Sequence, residues 1–156
     1  MKKLLLASNW IFLIEHGYKL LGIPFEDMHI AYITTASNGP AQKRSYIEDH
    51  KEEMRKLGLG FGEMDIENIH NNDFEKTFAD KNVIHIEGGN TFYLLKAIRE
   101  TGFDTFLLEW IAQGKSYIGS SAGAYIMCPT IEVSTWGPNA DHNYGITDLT
   151  ALNQVP

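Results

Sequence analysis

The chain has one cysteine, Cys128, in 156 residues. No intrachain disulfide is possible, and a reducing cytoplasm is the expected compartment. Basic residues are also scarce: 13 Lys and Arg stand against 20 Asp and Glu, a net charge of -7. A duplex partner needs a basic face to displace counterions, so nucleic acid is not an expected partner. No apolar run approaches the roughly 20 residues of a membrane span. Met1-Lys2-Lys3 followed by Leu4-Leu5-Leu6-Ala7-Ser8 briefly mimics a signal peptide. Ser8-Asn9 breaks that run and no clean cleavage site follows, so the segment reads as a first core strand. No Gly-x-Gly-x-x-Gly follows a strand. Gly58-Leu59-Gly60-Phe61-Gly62 lies between a helix and a strand, the wrong order for a dinucleotide site. No histidine pair has metal-ligand spacing, so neither metal nor cofactor is expected.

What remains is a chain of ordinary globular composition, 44% apolar and 21% charged, long enough for one domain with a real core. Short apolar runs alternate with helical patterns. Lys2–Ser8, His29–Thr35, Gly62–Ile66, Asn82–Ile86 and Lys115–Gly119 read as strands. Ile11–Leu21, Ala41–Leu57, Asn71–Ala79, Thr91–Glu100 and Asp104–Gln113 read as helices, and another begins at Ala122. The second helix stops at Gly58, and an acidic cap opens the fifth. Strands that are apolar throughout, rather than alternating, are buried on both faces. The expectation is a doubly wound α/β sheet over residues 1–156 with no linker. Such sheets carry their sites at the carboxyl ends of strands. Three loops qualify: Ser8-Asn9-Trp10, Glu87-Gly88-Gly89-Asn90-Thr91, and the turn after the last strand.

That last turn is Gly119-Ser120-Ser121-Ala122-Gly123, directly after Tyr117-Ile118. A buried strand that runs into Gly-x-Ser-x-Gly is a candidate nucleophile elbow. The glycines permit a sharp turn, and the serine hydroxyl sits at its tip near helix N–H groups. Ser120 lies one residue before the tip, so the spacing favours Ser121. The same residues also suit a tight turn that uses small side chains only for packing. The double glycine after Asn82–Ile86 can aim the Gly89 N–H at an oxyanion, with the Ala122 N–H as second donor. Asn90 or Thr91 can equally cap the helix that follows. A serine needs a base. His16 and His50 fall in helices, His29 and His85 at or within strands, and His70 in a remote loop. All five read as surface or core residues. His142 alone follows the elbow, in the loop Trp136-Gly137-Pro138-Asn139-Ala140-Asp141-His142-Asn143, which can return over it.

These stretches, in this order, resemble the peptidase E family, the S51 aspartyl dipeptidases. The resemblance rests on Leu4-Leu5-Leu6-Ala7-Ser8-Asn9 and on Gly88-Gly89-Asn90-Thr91-Phe92-Tyr93-Leu94-Leu95. It continues in Tyr117-Ile118-Gly119-Ser120-Ser121-Ala122-Gly123-Ala124 with Cys128-Pro129-Thr130-Ile131. It implies a three-layer αβα sheet of the class I glutamine amidotransferase type, flavodoxin-like and mostly parallel. It also implies a serine-type hydrolase that cleaves short peptides with an N-terminal aspartate. Ser121 would match the nucleophile, and Gly89 and Ala122 the oxyanion donors.

In that family a histidine follows the segment resembling Asp148-Leu149-Thr150-Ala151-Leu152-Asn153-Gln154-Val155-Pro156. The resemblance therefore implies that the matching base would be the residue after Pro156. It also implies that the family's C-terminal part, with later strands and an orienting carboxylate, is not in these 156 residues. Taken alone, they are expected to be nearly inert. Relatives also carry an aspartate after the elbow. Trp136 stands near that place, and Asp141 is a shifted candidate. An open sheet edge would suit either a monomer or a homodimer that hides it. Two other functions stay open: an inactive relative that binds peptides, and a cyanophycinase-like hydrolase of aspartyl polymers.

Overall fold

A computed structural model describes residues 1–39, 42–69, 73–137 and 140–156. Five strands form one all-parallel sheet: β1 (Lys3–Ala7), β2 (His29–Ile33), β3 (Gly60–Met64), β4 (Val83–Ile86) and β5 (Ser116–Ser120). Their order across the sheet is β1-β5-β4-β2-β3. The run β3-β2-β4-β5 follows the flavodoxin-like order, and β1 is added outside β5. The chain reverses its winding between β2 and β4, which places a crevice at their carboxyl ends.

Helices cover both faces. A first helix, α1, is built from Trp10–Phe12, a π-helical stretch Leu13–Gly17, and Tyr18–Leu20. The Asn9 side chain caps it, accepting from the Ile11 and Phe12 N–H groups. The helix α2 (Ser45–Lys56) packs with α1 on one face. The helices α3 (Phe74–Thr77), α4 (Thr91–Thr101) and α5 (Phe103–Ala112) pack on the other. A short α6 (Ala122–Tyr125) follows β5.

The strand side chains alternate between two separate cores, as period-two geometry requires. Ile30, Tyr32, Val83 and Ile118 belong to the α1/α2 side. Ala31, Ile33, Ile84, Ile86 and Tyr117 belong to the α3–α5 side, where Phe74, Phe78, Phe103, Phe106 and Trp110 stack on one another. The chain is thus the expected three-layer α/β sheet.

Element boundaries shift from expectation in local ways. β3 starts at Gly60 rather than Gly62 and ends before Ile66, which lies in a 3-10 turn. The helix read from Ala41 starts at Ser45. The helix read from Asn71 begins, among the described residues, at Phe74 under an Asp73 cap. Residues 70–72, including His70, lie outside the described residues, as do 40–41 and 138–139. The helix α5 is opened by Gly102 at φ 72, which also ends α4; Asp104 lies in its first turn rather than at the cap. After α6 the chain doubles back along itself. Thr130 and Thr150 form an antiparallel bridge, and Leu149, Ala151, Leu152 and Val155 pack on the α3–α5 core. Arg99 donates to the Asp148 and Thr150 carbonyls to hold this tail. Among the described residues, no helix is long and apolar enough to cross a membrane.

Candidate active site

The turn after β5 is strained at one residue. Ser121 has φ 48 and ψ -109, a conformation that L residues avoid. Such a backbone costs on the order of 1–3 kcal/mol and persists only where its surroundings enforce it. The enforcement is visible. The Ser121 N–H donates to the Ala7 carbonyl at 2.9 Å, at the end of β1. Its carbonyl accepts from the N–H groups of Ala124 and Tyr125. The Tyr117 hydroxyl, on β5, donates to the Gly123 carbonyl at 2.6 Å. A Cβ at Gly119 would overlap the Gly123 carbonyl, and one at Gly123 would overlap the Ile86 carbonyl. Both flanking glycines are therefore required by backbone packing.

The Glu87-Gly88-Gly89-Asn90 loop comes up beside this turn. A Cβ at Gly88 would lie 3.0 Å from the Ser121 Cβ and 3.6 Å from its Oγ. Gly89 has φ 149, and a Cβ there would overlap the Ala36 carbonyl, so glycine is needed for conformation and for space. Among the described residues, neither the Gly89 N–H nor the Ala122 N–H has a hydrogen-bond acceptor. Asn90 serves structure: its Oδ1 accepts from the Tyr93 N–H and caps α4, and its Nδ2 donates to the His142 carbonyl.

Two clefts flank Ser121, and Gly89 lines both. One, of about 230 Å³, is bounded by Phe92, Tyr125, Val133 and Ser134. The Ser134 Oγ is buried and has no hydrogen-bond partner among the described residues. The other, of about 280 Å³, is bounded by Ser8, Asn9, Trp10, Gln42 and Tyr46. The three loops expected to carry the site thus meet around this second cleft. No lysine or arginine lines either cleft among the described residues.

Asp141 and His142 are exposed, and the His142 backbone carbonyl accepts from Asn90 Nδ2. Among the described residues, no imidazole hydrogen-bonds the Ser121 Oγ. Trp136 is exposed and lies in the same 3-10 helix, Glu132–Trp136, as the first cleft's Val133 and Ser134.

Beneath the elbow lies a polar cluster that the sequence did not disclose. Tyr18, Tyr32, His50, His85, Glu87 and Ser120 are all buried. Glu87 Oε2 accepts from the Tyr32 hydroxyl at 2.8 Å and pairs with His50 Nδ1 at 2.6 Å. Glu87 Oε1 accepts from the Gly88 N–H at 2.7 Å and from the Ser120 hydroxyl. The Tyr18 hydroxyl lies 3.1 Å from His50 Nε2 and 3.0 Å from His85 Nδ1. Burial by itself raises the Glu87 carboxyl; the His50 hydrogen bond, the two imidazoles and Ser120 outweigh it and bring it down to about 2. Burial lowers the His85 imidazole to about 3, with Glu87 opposing and His50 adding to the shift. Fold proximity thus supplies what chain spacing lacked: two imidazoles and a carboxylate whose donor atoms lie within 4.8 Å of one another. By donor type they could hold a metal ion. The His50 and Glu87 donor atoms are already paired with each other or with Tyr18, Tyr32, Gly88 and Ser120, so the cluster is closed by hydrogen bonds.

This architecture is that of α/β enzymes that present a reactive residue on a sharp strand-to-helix turn. The sequence places it more narrowly: the model of peptidase family S51 matches residues 19–156, and the chain belongs to that family. It is 32% identical to an uncharacterized peptidase of Pasteurella multocida over 99% of this chain and 74% of that one. It is 44% identical to peptidase E of Salmonella typhimurium over 75 residues, which are 47% of this chain and 33% of that one. A crystal structure of a candidate peptidase E protein from Listeria monocytogenes superposes with a TM-score of 0.88 at 32% identity. The match covers 99% of this chain and 76% of that one. The matched segments therefore cover from a third to about three quarters of the length of these relatives.

Proposed function

We propose that this chain is a peptidase E-like serine hydrolase acting on short peptides with an N-terminal aspartate. Ser121 Oγ attacks the first peptide carbonyl as its proton passes to the histidine base that the family resemblance implies. The N–H groups of Gly89 and Ala122 hold the resulting oxyanion, and the proton returns to the amine that leaves as the C–N bond breaks. The observation that carries this reading is the enforced φ of 48 at Ser121, between two glycines that no larger residue can replace. The unpaired N–H groups of Gly89 and Ala122 support it, because preorganised donors need no rearrangement as charge develops. Aspartate selectivity rests on the family resemblance alone, since among the described residues no lysine or arginine lines the clefts beside Ser121.

No imidazole among the described residues meets the Ser121 Oγ, so the expected turnover is low. Loss of the base from such a triad lowers the rate by roughly a millionfold. The test therefore reads capture as well as hydrolysis. A boronic acid analogue of a short peptide should form a tetrahedral adduct with the wild-type chain and none with Ser121→Ala. Asp-Leu should be hydrolysed near the background rate. Ready hydrolysis of Asp-Leu that is lost in Ser121→Ala would instead make His142 the base. A chain that binds the peptide equally well with and without the Ser121 hydroxyl, and forms no adduct, is a binding module rather than an enzyme.

A further inference from the structure

The Glu87 carboxylate takes no part in the chemistry proposed above, yet it bridges the two loops that would perform it. We propose that Glu87 is a positioning residue that clamps the Gly88–Gly89 loop to the Ser120–Ser121 turn, and so fixes the oxyanion donors relative to the nucleophile. This rests on the reading of Ser121 as the nucleophile.

The geometry is specific. One carboxylate oxygen accepts from the Gly88 N–H, one residue before the first oxyanion donor, and from the Ser120 hydroxyl, one residue before Ser121. The other oxygen is gripped from below by Tyr32 on β2 and His50 on α2. Peptide planes are rigid, so a fixed Gly88 nitrogen and a fixed Ser120 side chain leave the neighbouring Gly89 and Ser121 few angles to vary. With Glu87 ionised, its two oxygens receive four hydrogen bonds, which fills its acceptor capacity. One proton arrangement links Glu87 through His50 and Tyr18 to His85 Nδ1; in it His85 Nε2, 3.5 Å from the Ser120 hydroxyl that donates to Glu87, gains no donor. His50 Nδ1–H donates to Glu87, Tyr18 O–H donates to His50 Nε2, and His85 Nδ1–H donates to the Tyr18 oxygen.

A hydrocarbon filling would serve stability at least as well as this buried charge. What it could not do is bond the Gly88 N–H and the Ser120 hydroxyl at once. Oxyanion donors act only when held within about half an ångström of their productive positions.

A merely structural Glu87 and a positioning Glu87 differ in what they do to two ligands. A peptide boronic acid places a tetrahedral centre on Ser121, whereas the matching peptide carboxylic acid binds without a covalent bond. In Glu87→Gln the boronic acid should bind at least tenfold more weakly while the carboxylic acid stays within twofold of wild type. Ser120→Ala, which removes one of the clamped groups, should weaken the boronic acid severalfold with the same selectivity. It decides the matter if Glu87→Gln does not fold. Unchanged boronic acid affinity, or equal weakening of both ligands in folded protein, would overturn the clamp. The Ser121→Ala control separates the two claims. If it loses the tetrahedral adduct while Glu87→Gln keeps full affinity, only the clamp fails. If it keeps the adduct, the nucleophile reading fails and the clamp with it.

Discussion

The two faces of the sheet are built from alternate residues of the same strands, yet they do different work. In Val83-Ile84-His85-Ile86, residues 84 and 86 enter a mostly apolar core dominated by Phe74, Phe78, Phe103, Phe106 and Trp110. Residue 85, pointing the other way, meets Tyr18 and Tyr32 and leads on to Glu87 in a buried polar cluster. The apolar face stabilises without direction, in proportion to the area removed from water. The polar cluster contributes less net stability per group, but each bond has one length and one angle. It gathers at the carboxyl ends of the strands, directly beneath Gly88 and Ser120. One face thus supplies mainly apolar burial and the other mainly directed hydrogen bonds beneath the site, with the Tyr117 hydroxyl crossing that division at the Gly123 carbonyl.

Perturbing each face sharpens or breaks that division. The largest effect is expected on the apolar side: Phe103→Ala should remove about 3–5 kcal/mol of stability by leaving a cavity. Denaturant melts would read this, and boronic acid affinity per folded molecule should not change. If affinity fell as steeply as in Glu87→Gln, the faces would not be separable.

Acidification should act through the polar face. His85 is held at about 3 against an ordinary 6.5, so its neutral form is favoured in the fold. The unfolded chain therefore takes up a proton first as pH falls through 6.5, and stability drops. Glu87, held at about 2 against 4.5, adds a further loss below pH 4.5 as the unfolded carboxylate protonates first. Both signs agree: stability is full above 6.5 and falls on the acid side. Between pH 6.5 and 4.5 the His85 contribution is about 2–3 kcal/mol. A His85→Asn variant should flatten the melting temperature across that window, and a profile as steep as wild type would contradict the assignment.

Tyr18→Phe should have a smaller effect, about 1–3 kcal/mol, because it deprives His50 and His85 of a partner without touching Glu87. Its boronic acid affinity should fall less than that of Glu87→Gln. The smallest effect is expected at the surface. Lys56→Ala removes pairs with Glu52 and Glu53 on the solvent face of α2 and should leave melting temperature and affinity within error.

Much of the fold was legible because its signals are local. Short apolar runs located all five strands, Gly58 ended α2, and the glycines around Ser121 marked the sharp turn. Boundaries slipped where the chain offers no local punctuation, as at Gly60-Phe61-Gly62, where pairing with β2 carries the strand back to Gly60. The floor of the site was not legible as a unit. His50 and His85 are 35 residues apart, and only the parallel packing of β4 against β2, with α2 laid over them, brings both to Glu87. One local sign was present: a histidine inside an otherwise apolar strand, buried on both faces, must find a partner. Asn90 shows the opposite case, since the capping reading of the sequence accounts for its side-chain oxygen.

The most direct test of the account is where a peptide boronic acid attaches. Boron NMR of wild-type protein, Ser120→Ala and Ser121→Ala separates two adjacent serines that the fold treats in opposite ways. The account predicts a tetrahedral boron signal in wild type, a weaker but present one in Ser120→Ala, and none in Ser121→Ala. A signal that survives in Ser121→Ala, or that vanishes only in Ser120→Ala, would contradict it.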